Sequence, residues 1–324
     1  MRPSRRISLL LIALALAAGV KLLVTYLPSA DTSTAATNLA STSPWLPTSL
    51  PPDTDRWSTP PVIYSDPRLT HETFHSKSMN LEVGFNIYLP PNYQADKTQK
   101  YPVLYWLHGL DQSESTNQYP IQYLDQAIKA KTIKPMIVIY ASGGQRTYYT
   151  DNSAINSLSE TAVIKELIPH IDATYRTNAT RDQRAIAGMS MGGFGALKLA
   201  FKYPDLFSSV TAFAPGIRDP LSFKKERPDI LKRMFDNDPA NYEANHPATL
   251  VQQNKEKIKH QLPISIYVGT TDYLLAGARA MDQTLTELKI DHVYQEFPDI
   301  NHNLVKLSEK TKETPFAFAA KNFK

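Results

Sequence analysis

Apolar and polar positions along the chain fall into short strand-like runs separated by longer helical ones. Leu81–Leu89 (LEVGFNIYL) alternates as a half-buried strand does, and Pro90-Pro91-Asn92 ends it. Tyr101–Leu107 and Pro135–Tyr140 are continuous apolar runs, the pattern of strands covered on both faces. Arg184–Ala187, Val210–Ala214, Ile264–Val268 and Val293–Phe297 supply further strands. Between them, Ile121–Lys131, Ser159–Tyr175 and Ala276–Leu288 carry helical spacing, with Val163, Leu167 and Ile171 on one stripe. Strands alternating with helices predict an α/β architecture: a mostly parallel central sheet with helices on both faces. In such sheets the chemistry gathers in loops at the carboxyl ends of the strands. The stretch Arg218–Asn245, rich in charge and proline, reads as a small cap region.

The first 61 residues break this rhythm. Arg2, Arg5 and Arg6 precede the apolar run Ile7–Val20, which Lys21 interrupts before Leu22–Leu27. A basic segment leading into such a run is the pattern of a secretory signal. Left uncleaved, Ile7–Leu27 is just long enough to span a bilayer, with Lys21 reaching toward an interface. The sequence therefore predicts an exported protein, periplasmic or extracellular, with residues 1–28 as signal peptide or membrane anchor. Residues 29–61 turn to Ser, Thr, Ala and Pro and read as a linker, with Trp45 and Trp57 able to dock on the domain that follows. Residues 62–324 then form one large globular domain.

Charge narrows the partners. The net charge is +4, but all of the excess lies in Arg2, Arg5, Arg6 and Lys21; the remaining basic residues equal the 31 acidic ones in number. The body has no global positive excess to attract a phosphate backbone, so nucleic acid is not an expected partner. The absence of cysteine removes disulfides, thiolate metal sites and a cysteine nucleophile together.

Gly188-Met189-Ser190-Met191-Gly192 spells G-x-S-x-G between the strand Arg184–Ala187 and a helix beginning near Gly193. A serine at this turn is held in a strained conformation, and its neighbours two residues away must be small. The following helix aims its N-terminus at the site, where negative charge would develop. Ser190 is the predicted nucleophile.

A serine of this kind needs a base and an acid later in the chain. His246 lies in a polar, proline-flanked stretch, His260 ends a lysine-rich helix, and His292 begins a strand. His302 directly follows the strand Val293–Phe297, which makes it the predicted base. Asp272 follows Ile264–Val268 through Gly269-Thr270-Thr271 and is placed to orient that imidazole. Asp299 is its rival, three residues from His302 on the same loop. Leu107-His108-Gly109-Leu110 follows another strand, so the Leu110 and Met191 amides are the predicted oxyanion hole, with His108 organising the loop.

These segments resemble the esterase D and feruloyl esterase-like family of α/β-hydrolases. The resemblance rests on FNIYLPPNY (85–93), VLYWLHGLDQSES (103–115), YYTDN (148–152), ELIPHIDATYRT (166–177), RAIAGMSMGGFGALKLAFKYPDLFSSV (184–210), VGTTDYLL (268–275) and the His302 loop. It covers most of residues 70–305. It implies the α/β-hydrolase fold, a triad of Ser190, Asp272 and His302, no metal or organic cofactor, and a small-molecule or carbohydrate ester as substrate. It also makes Tyr148, Tyr149 and Asp151 candidates for the substrate pocket. PDINH stands where many members carry a glycine-rich GGH, and Asn303 follows His302 in place of an acidic or aromatic residue; both departures touch substrate subtype.

Three other readings compete. An acyltransferase would use the same catalytic groups, with an alcohol replacing water. A non-catalytic binding module would have no use for a complete triad. His71-Glu72-Thr73-Phe74-His75 spells the H-E-x-x-H of zinc proteases, but that chemistry needs a helix, and this segment reads as part of a strand hairpin.

Overall fold

The structure, a computed structural model, describes residues 56–60, 64 and 66–324. The signal or anchor segment and most of the linker lie outside the described residues. An eight-stranded sheet forms the centre. Its strands are β1 (Leu69–Ser76), β2 (Leu81–Tyr88), β3 (Val103–Leu107), β4 (Ile137–Ala141), β7 (Arg184–Met189), β8 (Ser209–Phe213), β9 (Ile264–Gly269) and β10 (His292–Phe297). A short ribbon of β5 (Asp151–Asn152) and β6 (Ser157–Leu158) stands apart. The sheet order is β1-β2-β4-β3-β7-β8-β9-β10. β1–β2 and β2–β4 pair antiparallel, and every pairing from β4 to β10 is parallel. The predicted α/β architecture is therefore present, and the loops after β3, β7, β9 and β10 leave the same edge of the sheet.

The central strands are apolar throughout because both faces are covered. β3, β4, β7, β8 and β9 are buried at every position. β2 departs from the half-buried pattern, since Val83–Tyr88 are all buried. Its polar face, at Gly84 and Asn86, is covered by the segment around Trp57 and by the loop after β3. The Gly84 amide donates to the Trp57 carbonyl, and Asn86 Nδ2 donates to the Glu114 carbonyl. Trp57 itself is 8% exposed. The folded unit thus begins before the expected boundary at 62.

The predicted helix Ser159–Tyr175 is present in three pieces, with the π-helical Ala162–Leu167 between Ser159–Thr161 and Ile168–Thr174. Pro169 accounts for the break. Its ring lacks an N–H and would collide with the carbonyl four residues back, and widening the preceding turn relieves that contact.

Between β8 and β9 the chain makes a run of short helices. Pro220–Glu226, Pro228–Met234, Pro239–Ala244 and Pro247–Gln253 each begin with proline, where a missing N–H costs nothing. Asp219, Asp238 and His246 cap three of them with side-chain acceptors. Phe223 stacks on Tyr242 at 3.9 Å, with Phe235 edge-on to both.

Candidate active site

Ser190 occupies the turn between β7 and the helix Met191–Lys202, at φ 59° and ψ −119°. A side chain held there is strained, and close packing of glycines enforces the strain. A Cβ on Gly188 would lie 2.4 Å from the Gly192 carbonyl oxygen, and one on Gly192 only 2.0 Å from that of Leu107. Both contacts are with backbone, which cannot swing aside. The Ser190 amide donates to the Phe213 carbonyl, and its carbonyl accepts from Gly216 at 2.7 Å. The turn is therefore pinned to the end of the neighbouring strand, β8.

Asp272 and His302 meet across the ends of β9 and β10. His302 Nδ1 lies 2.8 Å from Asp272 Oδ2, and the other carboxylate oxygen accepts from the Leu274 amide. The two loops are laced together. Thr271 N donates to the Ile300 carbonyl, and Asp299 N donates to Thr270 Oγ1. Gly269 permits this approach, since a Cβ there would sit 2.0 Å from the Ile300 oxygen. The Asp272 side chain is fully buried, while that of His302 stays 19% exposed. The rival, Asp299, is exposed and left-handed at φ 57°.

Ser190 and His302 line one cavity of about 440 Å³. No hydrogen bond joins them among the described residues; such contacts commonly tighten only when substrate fills the site. With Nδ1 engaged by Asp272, Nε2 is the ring nitrogen left for a group in the cavity. Leu110 lies in the wall. The loop comes close to Ser190 at Gly109, where a Cβ would make an ordinary contact of 3.5 Å with Ser190 Cβ. Met191 is the first residue of its helix, so its N–H has no acceptor within that helix. His108 is buried and holds the loop from both ring nitrogens. Nε2 accepts from the Gly143 amide, which leaves the proton on Nδ1 to donate to the Gly109 carbonyl.

The pocket candidates Tyr148, Tyr149 and Asp151 require correction, since none lines this cavity. Tyr148 packs edge-on against Phe194 and Phe223, each at 5.1 Å. Tyr149 is fully buried, with its ring against Gly143 and Gly195 and its hydroxyl donating to the His108 carbonyl. Burial holds both phenols above their ordinary pKa and so neutral. Asp151 accepts from Thr161 N and Oγ1, and so fixes the start of a helix. Tyr149 is framework beneath the His108–Leu110 loop, and Tyr148 is framework between Phe194 and Phe223.

Tyr273, Gln112, Thr116, Asn117, Gln118 and Asn303 stand in the cavity wall, and of these the sequence marked only Asn303 as bearing on substrate subtype. Tyr273 lies 4.7 Å from the His302 ring while staying 63% exposed. Adjacency to Asp272 was the available signal. The proline-rich helices after β8 supply no residue to this wall.

His246, His292, His71 and His75 are occupied elsewhere. His246 Nε2 donates to the Arg218 carbonyl and Nδ1 accepts from Ala248 N; burial lowers its pKa. His292 Nε2 lies 2.8 Å from Asp282. The H-E-x-x-H segment is strand β1. There His71 and His75 pair with separate carboxylates, Glu114 at 3.2 Å and Glu82 at 3.1 Å. No group of three metal-ligating side chains occurs among the described residues.

A sequence model named Esterase, described as "Putative esterase", matches residues 76–299, which hold Ser190 and Asp272. An esterase of Mycobacterium tuberculosis strain H37Rv is 35% identical over 151 residues, covering 46% of this chain and 32% of that protein. An endo-1,4-beta-xylanase/feruloyl esterase of Xylanibacter ruminicola is 33% identical over 190 residues, covering 50% of this chain and 25% of that protein. The chain thus spans a third or less of the length of these relatives. Among solved structures, a ferulic acid esterase superposes with TM-score 0.67 at 22% identity, covering 79% of this chain and 98% of that one. An S-formylglutathione hydrolase of Agrobacterium tumefaciens gives TM-score 0.66 at 20% identity, covering 79% and 95%. Such identities carry the fold, an α/β-hydrolase sheet, and the sequence match carries the family. The chain belongs to the esterase family of α/β-hydrolases.

Proposed function

We propose that this chain is a serine esterase that cleaves carboxylic esters through an acyl-enzyme on Ser190. The observation that carries the proposal is the shared cavity, where a serine in a strained turn stands with the imidazole that Asp272 holds. His302 Nε2 takes the Ser190 proton as the hydroxyl oxygen attacks the ester carbonyl. Asp272 fixes the tautomer and stabilises the imidazolium that forms. The Leu110 and Met191 amides receive the oxyanion, each such donor contributing about 3 kcal/mol to the transition state. His302 returns the proton to the departing alcohol, then activates the water that releases the acid.

The same proposal extends to the substrate. Gln112, Thr116, Asn117, Gln118 and Asn303 give the wall amides and a hydroxyl, and among the described residues no lysine, arginine or carboxylate lines it. Neutral hydrogen-bonding groups suit a hydroxyl-bearing alcohol, such as the sugar of an acylated carbohydrate. The xylanase/feruloyl esterase relative is consistent with that choice. Export rests on the basic and apolar pattern of residues 1–27, with the chain released or tethered at its N-terminus.

The experiment is a panel of p-nitrophenyl acyl esters and feruloyl or acetyl sugars, run on the wild type and on Ser190→Ala. Turnover of acylated sugars by the wild type alone supports the full reading. Turnover of simple esters without acylated sugars confines it to esterase action, and equal turnover by Ser190→Ala removes the mechanism.

A further inference from the structure

The loop between β3 and the helix Gln122–Lys129 supplies Leu110, Gln112, Thr116, Asn117 and Gln118 to the cavity. It also carries a carboxylate that the ester chemistry does not use. The Glu114 side chain is fully buried, is not among the residues that line the cavity, and sits in a knot of hydrogen bonds. Thr59 N and Thr59 Oγ1 each donate to Glu114 Oε1 at 2.7 Å, and His71 Nε2 approaches the same oxygen at 3.2 Å. Thr59 Oγ1 also accepts from Ser115 Oγ at 2.8 Å. A second tie lies beside the first. Tyr64 Oη accepts from Asn86 Nδ2 at 2.6 Å and from Gln118 Nε2 at 3.1 Å, and both amides also donate to the Glu114 carbonyl.

Thr59 and Tyr64 come from outside the α/β repeat. Trp57, Ser58 and Thr59 precede the first strand, yet Trp57 is buried and its carbonyl accepts from Gly84. Gly84 is the residue that lets this segment pass. A Cβ there would meet Glu114 Oε1 at 2.7 Å and Ser58 Oγ at 2.8 Å. From this knot the loop runs on to Asn117, whose Oδ1 accepts from the Gly109 amide, one residue before Leu110.

We propose that Trp57–Thr59 and Tyr64 form a strap that positions the oxyanion loop, acting through Glu114 and Gln118. Thr59 and Tyr64 are positioning residues: they touch neither substrate nor reacting atoms, and they hold the loop that presents the Leu110 amide and part of the cavity wall. The inference rests on the esterase reading of Ser190 and Leu110. On that basis, loosening the strap weakens transition-state binding while ground-state binding of a small ester is kept.

The test uses the full chain with Thr59→Val and Tyr64→Phe, which keep side-chain volume and remove one hydroxyl each. Rates on p-nitrophenyl acetate are normalised to active sites titrated with a fluorophosphonate, so misfolded protein does not count. The strap predicts a kcat loss of about tenfold with KM within about twofold, and a parallel loss of affinity for a trifluoromethyl ketone. Thr59→Ser restores both. Wild-type kcat per titrated site in both variants overturns the strap, as does a loss that Thr59→Ser fails to restore. A wild type that neither turns over the ester nor takes the label removes the esterase reading instead.

Discussion

Asp272 reaches His302 through a 2.8 Å contact between a fully buried carboxylate and a ring nitrogen, joining two loops thirty residues apart. The contact fixes which nitrogen of His302 remains for chemistry. Replacing Asp272 by Asn keeps the shape and offers the wrong hydrogen-bond partner, so the ring is held in the opposite tautomer. Asp272→Asn is expected to lower kcat by about 10³- to 10⁴-fold with little change in KM. Steady-state kinetics on a p-nitrophenyl ester check this, and a loss under tenfold would contradict the assignment.

Gly192 tests the turn that presents Ser190. A methyl group there would press on the Leu107 and His108 carbonyl oxygens, at 2.0 and 2.7 Å. Gly192→Ala is expected to destabilise the fold by about 1–3 kcal/mol and to displace the loop that carries Leu110. Denaturant melts and kcat, measured together, should both fall.

Glu114 gives the chain a measurable acid response. Burial pushes its pKa up, but the hydrogen bonds from His71 and Thr59 outweigh burial and hold it below its ordinary 4.5. A carboxylate with a depressed folded pKa contributes stability that is present above the unfolded value and is lost as pH falls through the folded one. Glu114→Gln should therefore melt below the wild type at neutral pH, with the gap closing as pH drops below about 4.5. A gap that stays constant with pH would show that the carboxylate charge contributes nothing.

Tyr148 and Tyr149 separate framework from recognition. Tyr149→Phe removes the bond to the His108 carbonyl and should cost about 1 kcal/mol of stability. Tyr149→Ala leaves a void under Gly143 and Gly195 and should cost about 3–5 kcal/mol. Neither Tyr148→Phe nor Tyr149→Phe should move KM for a small ester by more than about twofold. A large KM change in either would return these rings to the substrate pocket.

What the sequence revealed of this site follows the range of its interactions. The Ser190 turn is local: strand, small residue, serine, small residue and helix sit within a few positions, and the glycines are demanded by backbone contacts. Asp272 and His302 were legible from chain order and from their place just after strands, since a parallel sheet gathers strand ends at one edge. The strap was only half legible. Trp57 stood out as an aromatic in a polar stretch, but Thr59 and Glu114 are 55 residues apart and joined by hydrogen bonds, which leave no periodicity to read. The same joint buries the polar face of β2, so its alternating pattern suggested more exposure than it has. Tyr148 and Tyr149 misled because the sequence cannot show which way a ring points. Both adopt left-handed backbone, at φ 51° and 52°, and turn into the core. Pro169 was in plain view as the cause of the π-helical turn, although the apolar stripe ran unbroken past it.

The central claim is that the hydroxyl of residue 190 becomes covalently acylated. Mass spectrometry of the peptide map after treatment with a fluorophosphonate tests it most directly. The account predicts one adduct per chain, on Ser190, appearing in step with loss of ester hydrolysis and absent from Ser190→Ala. An adduct on a different residue, or hydrolysis that survives complete labelling of Ser190, would contradict it.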